Sequence, residues 1–502
     1  QRKSSTGETP RKTLSRKPEG FLFLCDNLRL VDQPSRKPPT VRPNSKSKWL
    51  AQSARLSRFM ADRGMIVSVI YAFSLLVGFL AVGFAWMSDF AGEWNKELFA
   101  EHMWVALLLP PIVFPIALWL VNTIFWGAGG SGIPQAIKVT KHPKPRLMER
   151  LLGPRAFLGK LLITPFVIAA GAAAGREGPT VQIGAALMAY AGRFPNIAKL
   201  FDTRSLIIAG GAAGVAAAFN TPLGGLMFAF EELGRRKTMR HTSALLMAIV
   251  LAGLVALILQ GNYSYFGYSN ATIDWGQEWL IIFTLAILTG IVGGLYGRSM
   301  LILVSSTSFL GGLRSRFPYR FAAGCGVVLS LMALVFGAEV FGAGYEETKA
   351  ALQDSEELSP MFWLTKMVAT VVSFASGIPG GVFSPTLSIG AGFGHFFAGL
   401  TNSETAPLML LAMVGVLSAV THCPITAFVI VLEMVDNHDL VMPLIFVSAI
   451  STQVSKRILP ASIYHLLANQ IKVSFAQTEP TPAPESASEA KPAETSGLDD
   501  KK

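Results

Sequence analysis

Charge is scarce in this sequence. Only 15% of its 502 residues are Asp, Glu, Lys or Arg, 51% are hydrophobic, and the mean hydropathy is +0.45. That balance excludes a soluble globular protein, and the length exceeds a single helical bundle, which leaves a polytopic membrane protein. Cysteine is nearly absent: Cys25, Cys325 and Cys423 are odd in number and scattered, which excludes a disulfide framework and a metal quartet. The seven histidines show no ligand spacing, and no HExxH, CxxC or nucleophile-elbow pattern occurs. Nothing positive points to an enzyme, a metal or a cofactor, and none is expected. Two near-motifs fail on inspection. GAGGSG at 127–132 fits GxGxxG but follows an apolar span and has no acidic partner about 20 residues on. GPRAFLGKL at 153–161 imitates a phosphate loop but carries Leu161 where Ser or Thr would hold magnesium.

The charge that is present is unevenly placed. Residues 1–58 hold 14 Lys and Arg against 4 Asp and Glu, an excess of 10 out of a formal net charge of +11. Nucleic-acid binding would need aromatic residues interleaved with the basic ones, and this segment lacks them. Residues 1–60 read instead as a basic, disordered cytoplasmic arm near anionic lipid head groups, and not as a signal peptide, because FLFL at 21–24 is too short an apolar run. Residues 471–502, rich in Pro, Ala, Glu and Ser, read as a disordered cytoplasmic tail. Met65–Met87 and Met103–Trp126 are uncharged and each long enough to span a bilayer, with the acidic stretch Asp89 to Glu101 between them assigned outside. Basic clusters at 141–155, 235–240, 314–316 and 456–457 mark the cytoplasmic face, whereas 339–357 and 261–272 go outside. The latter loop carries glycosylation-like triplets at Asn262 and Asn270.

Beyond the second span the apolar runs shorten and are broken by GAGGSGIPQ (127–135), GREGPT (175–180), FNTP (219–222), GIPGGVFSP (377–385) and THCP (421–424). Irregular backbone at membrane depth is tolerated only where protein buries it or where it lines a polar cavity, so repeated breaks are the mark of discontinuous helices around a transport site. GREGPT places Arg176 and Glu177 between two uncharged runs. A charge in a spanning helix costs roughly 2.5 to 3.5 kcal/mol on insertion scales, which makes Glu177 a functional candidate; the alternative is that Arg176 and Glu177 neutralise each other in a loop. The sequence also repeats. Gly175, Pro179, Thr180, Ile183 and Gly184 recur 206 residues later as Gly381, Pro385, Thr386, Ile389 and Gly390, and Pro222 and Glu231 recur at 202 as Pro424 and Glu433. Halves of about 61–260 and 275–470 are expected within a membrane domain of 61–470, with the site at their interface. Glu231 and Glu433 are expected at helix ends or in structural pairs.

Three of the breaks are Gly-rich turns leading into a helix with Pro near its start: GSGIPQ, GREGPT and GGVFSP. Each presents a helix N-terminus, which carries about half a positive charge and stabilises an anion by roughly 0.3 to 1 kcal/mol, up to about 2 when partly buried. Three such ends implicate a small anion as substrate, held without a full charge to trap it. Ser131 adds a hydroxyl donor, and Tyr464 is a second candidate.

GSGIPQ (130–135), GREGPT (175–180), AAAFNTPLGGLMFAFEEL (216–233), GIPGGVFSPTL (377–387), VLEMVDN (431–437) and the late Tyr464 together resemble the CLC family of chloride channels and chloride/proton exchangers. The resemblance covers roughly residues 60–470, in the family's order. It implies an all-α polytopic membrane protein of two inverted repeats of broken and tilted helices, assembled as a homodimer with one pore per subunit. Ser131, Ile378, Phe383 and Tyr464 would line the chloride sites, with backbone N–H groups near Phe383 and Gly178 contributing. Glu177 falls on the family's gating glutamate, a tethered anion that competes with chloride and leaves when protonated. Glu232 falls on the internal proton-transfer glutamate of the exchangers. Lys160 matches a buried lysine that raises the pathway's positive potential; the plainer reading is a snorkelling side chain. Keeping both glutamates favours chloride/proton exchange over a passive channel, and Ser131 favours chloride over nitrate. The resemblance implies a multi-pass protein of the cell (inner) membrane with both termini cytoplasmic and without paired C-terminal nucleotide-binding modules.

Overall fold

The computed structural model describes residues 45–234, 242–261, 264–267, 278–305, 308–353, 355, 357–435 and 437–471. Asn262, Asn270 and the basic cluster at 235–240 therefore lie outside the described residues, as do residues 1–44 of the expected arm and 472–502 of the expected tail. Among the described residues the chain is helical throughout, and its only β features are two isolated bridges. Five helices are long and apolar enough to cross a membrane: Gly64–Glu101, Met103–Thr123, Pro145–Ala169, Trp279–Val304 and Pro318–Phe336.

The first helix differs from the expectation in both directions. It begins at Ser45, inside the expected arm, and continues past Met87 through the acidic stretch to Glu101. Asp89, Glu93 and Lys96 share one face of this helix. Asp89 pairs with Arg176, and Lys96 reaches Glu347 at 2.9 Å. Charges spaced to share a helix face look like loop composition when only their density is read.

The sequence repeat is a repeat of structure. The helices Glu177–Ala191 and Phe383–Thr401 start 206 residues apart. Ahead of them, Gly171 and Gly377 occupy the same register with φ of +85° and +88°, a conformation that glycine alone adopts without strain. Thr203–Phe219 and Thr405–Thr421 match at 202 and end alike, on left-handed Asn220 (φ +56°) and His422 (φ +55°). Lys160 and Lys366 are also 206 apart, and both are fully buried. The hand of the relation is read from one pair: Gly175 and its counterpart Gly381 form an antiparallel bridge, exchanging N–H···O bonds of 2.8 and 2.6 Å. Equivalent residues that pair with each other antiparallel lie on a two-fold axis, as an inverted repeat requires.

Glu231 and Glu433 clasp the halves together, as helix-end residues. Glu231 accepts from the N–H of Thr426 (2.7 Å) and from its hydroxyl (2.8 Å), capping Pro424–Val435 in the opposite half. Glu433 accepts from the N–H groups of Leu223 (3.0 Å) and Gly224 (2.7 Å), capping Pro222–Phe228 in return. Each carboxylate satisfies orphan N–H donors and sits favourably in the helix dipole. Glu433→Ala is expected to cost about 0.5–2 kcal/mol of stability, the usual value of a lost cap. Thermal unfolding in detergent would show this as a lowered midpoint, and an unchanged midpoint would contradict the cap.

Candidate functional site

Three broken segments meet as backbone. Gly130 N–H donates to Ile378 O (3.1 Å) and Gly380 N–H donates back to Gly130 O (3.2 Å), which joins GSGIPQ to GIPGG. The Gly175–Gly381 pair joins GREGPT to the same segment. The helices Ile133–Lys141, Glu177–Ala191 and Phe383–Thr401 all start from this junction. Glycine is required for the approach. A Cβ on Gly178 would overlap the Ser131 hydroxyl and stand 3.1 Å from Gly381 Cα, and Gly132, at φ +112°, faces the Gly178 carbonyl.

Two buried polar atoms stand beside Gly178 without a hydrogen-bond partner among the described residues, Ser131 Oγ and Glu177 Oε2. Buried polar groups are nearly always paired, so two orphans at one junction call for an explanation. Each lines one cavity. A cavity of about 460 Å³ has Ser131 in its wall together with Asn122, Trp126, Arg150 and Arg314. A smaller one of about 80 Å³ has Glu177 in its wall together with Asp89, Arg176, Tyr265 and Ser384. One side is basic and the other acidic, and the glycine junction lies between them.

Arg176 does not neutralise Glu177 in a loop. Its guanidinium pairs with Asp89 and donates to Ala85 O (3.0 Å), both on the first helix, while Glu177 is the first residue of its own helix and only 1% exposed. Its polar neighbours are Arg176, whose charge attracts it without an ion-pair contact, and Ser384, at the start of Phe383–Thr401. A carboxylate at one N-terminus and beside another is where the helix dipole favours negative charge. Lys160 does not snorkel either. It is fully buried, and its ammonium donates to Gly130 O, within the turn that carries Ser131. Its repeat partner Lys366 donates to Glu339 O and to Phe341 O (2.8 Å). Ile378 is tied into the junction through its carbonyl, and Phe383 packs against Phe219 and Phe228 at centroid distances of 5.2 and 6.5 Å. Tyr464 is fully buried, within electrostatic reach of both Glu177 and Glu232.

Glu232 is held through both oxygens of its carboxylate. It lies on a π-helical turn, Ala229–Leu233, closed by Gly234 N–H to Ala229 O at 2.8 Å, a distortion that turns a side chain off the helix register. The carboxylate is fully buried, accepting from Ser462 Oγ at Oε1 (2.7 Å) and from the Cys423 thiol at Oε2 (2.8 Å). His465 Nε2 lies 3.1 Å from its backbone carbonyl and 3.7 Å from Oε1.

Sequence reasoning brought Ser131, Glu177, Gly178, Ile378 and Phe383 to one junction, and the structure places them there. It missed the residues that hold them. Gln135, given no function from sequence, accepts from Gly132 N–H (3.0 Å) and donates to Gly129 O (2.5 Å), fixing the turn before Ser131. Ser462 and His465 flank Tyr464 closely in sequence, and Cys423 sits one residue before Pro424 in THCP; these positions were the available signal.

Comparison with known proteins agrees with the geometry. The family described as "Voltage gated chloride channel" matches residues 112–456. Among curated proteins, the H(+)/Cl(-) exchange transporter ClcA of Vibrio vulnificus is 29% identical over 430 residues, covering 78% of this chain and 87% of the relative. ClcA of Salmonella arizonae is 28% identical over 467 residues, covering 86% and 96%. Among solved structures, a slow cyanobacterial Cl-/H+ antiporter superposes with a TM-score of 0.68 at 22% identity, over 80% of this chain and 97% of that one. A CLC-type fluoride/proton antiporter gives 0.67 at 22%, over 80% and 97%. These likenesses establish the all-helical, inverted-repeat fold. The chain belongs to the CLC, or voltage-gated chloride channel, family.

Proposed function

We propose that this protein exchanges chloride for protons across a membrane. The observation that carries the reading is the pair of orphaned polar atoms beside Gly178, Ser131 Oγ and Glu177 Oε2, whose residues line separate cavities. A small anion between them would take the Ser131 hydroxyl as donor and the N-terminal N–H groups near Gly178 and Phe383 as partial positive charge. Backbone and Tyr464 would complete the chloride sites with Ile378, and Lys160 would raise the local potential through the carbonyl it holds. Glu177 is the tethered competitor. Ionised, it occupies the anion position itself; protonated, it loses its attraction to the helix ends and yields to chloride. Glu232 supplies the proton from the other side, past Tyr464. The exchange activity named for the ClcA relatives is consistent with this reading.

The basic cavity that Ser131 lines faces the cytoplasm on the positive-inside rule, and the acidic one faces outward. All the site residues lie in one chain, so each subunit of a homodimer has a complete pathway, in a cell (inner) membrane with both termini inside. The test is flux in proteoliposomes. A chloride gradient should drive proton uptake against a pH gradient. Chloride movement without protons would replace exchange with passive conduction, and no chloride movement would remove transport altogether. Selectivity is expected to rest on Ser131. Ser131→Pro removes the hydroxyl donor and should raise nitrate flux relative to chloride; unchanged relative fluxes would contradict its role.

A further inference from the structure

Glu232 is sealed from water by three groups, and their chemistry differs. Ser462 is fully buried and Cys423 nearly so, and neither hydroxyl nor thiol takes up a proton at neutral pH. His465 is the third, its side chain 14% exposed, and imidazole is the one side chain whose ordinary titration lies near neutrality. Its orientation is fixed by the bond it makes. The Glu232 backbone oxygen can only accept, so the contact at 3.1 Å requires the proton on Nε2. The nitrogen that carries it stands 3.7 Å from the carboxylate oxygen Oε1.

We propose that His465 is the residue through which protons from the cytoplasm reach Glu232. This rests on the exchange reading above and adds to it a donor that belongs to this chain. Imidazolium gives its Nε2 proton to Oε1, leaving imidazole protonated on Nδ1 and a protonated Glu232. The ring then turns Nε2 towards the cytoplasmic side, takes a proton there from water or a buffer acid, and turns back, which restores the imidazolium. No other covalent bond changes, and one proton passes from the cytoplasm to Glu232 per cycle. A rotation of the imidazole that shortens 3.7 Å to hydrogen-bond length is sufficient, since the ring is already anchored beside the carboxylate. The Ile463–Gln470 helix packs chiefly against Ile133–Lys141, Trp279–Val304 and Thr405–Thr421. The titratable groups on those elements are Lys138 and Lys141, then Tyr296 and Arg298, with none on the third. Among the described residues, Glu231, Glu232, Cys423 and Tyr464 are the further titratable groups around the ring's anchor. Glu231 is committed to capping Pro424–Val435 and Cys423 to the Glu232 carboxylate, and the cations repel protons, so His465 is the group suited to carry one.

The test compares proton uptake per chloride released in proteoliposomes of the wild type, His465→Gln and His465→Ala. The ratio is expected to fall by on the order of tenfold in both variants at neutral pH. It should recover as the cytoplasmic side is acidified, and in His465→Ala it should be restored by added imidazole. Chloride release above that of empty vesicles certifies that a variant is folded. A ratio and pH profile equal to wild type would overturn the proposal while leaving exchange intact, and a loss that neither acid nor imidazole repairs would assign His465 a structural role and overturn it too. Absence of proton uptake in the wild type would remove the exchange reading itself, and this proposal with it. If neither variant carries chloride, histidine NMR of the wild type and Glu232→Gln decides. Loss of the carboxylate should lower the His465 titration midpoint, and an unchanged midpoint would overturn the pair.

Discussion

Replacing Glu177 with Gln should uncouple protons from chloride and make chloride movement independent of pH. Gln has the shape of the protonated acid and carries no charge. It therefore cannot hold the position between the helix starts that the carboxylate occupies, and it cannot carry a proton. Glu177 is the first residue of its helix, and its Oε2 has no hydrogen-bond partner among the described residues, so the amide leaves no bond to that oxygen broken. In the wild type, chloride flux should rise as pH falls, because protonation releases the tether. In Glu177→Gln that slope should be flat. Proton uptake should drop by more than about tenfold, the equivalent of about 1.4 kcal/mol in the barrier, towards the leak of empty vesicles. Parallel chloride and pH electrodes on one vesicle preparation read both. A variant that keeps the wild-type pH slope would show that another group gates the anion.

Glu232→Gln should separate the two ions differently. The amide oxygen still accepts from Ser462 or Cys423, so the π-helical turn and its contacts can survive. What the amide cannot do is pick up and release a proton. Chloride flux should persist and keep its dependence on pH, because Glu177 is intact. Proton uptake should again fall by more than about tenfold. The contrast between the variants is the informative part, since only Glu177→Gln should flatten the pH slope. Proton pumping by both variants would contradict both assigned roles.

The architecture around the site was legible because it is written in residues that act on their own backbone. Gly175, Gly381, Pro179 and Pro385 specify turns and helix starts locally, and their recurrence at 206 announces the repeat. Glu177 stood out because a carboxylate between long apolar runs is costly. The contacts that hold Glu232 were not legible. Cys423, Ser462 and His465 lie 191, 230 and 233 residues from it, and although Cys423 falls in the THCP break, nothing local points any of them at Glu232. The helical state of the acidic stretch after Met87 was not legible for a related reason. Asp89 is held in a helix with Arg176 as its partner, and that partner is 87 positions away. Lys160 remained ambiguous until its acceptor, Gly130 O, was visible. Gln135 was silent because a side chain that caps a turn reads in sequence like any other polar residue.

The central claim is that proton and chloride movement are one event. The most direct measurement loads proteoliposomes with high chloride, places them in low chloride at equal pH, and holds the membrane at zero voltage with potassium and valinomycin. The clamp matters because a passive chloride pathway alone builds a diffusion potential that pulls protons through leaks. At zero voltage that pull is gone. The account predicts that the external medium becomes alkaline as chloride leaves, and that a protonophore collapses the change. Chloride efflux with no change in external pH would contradict it.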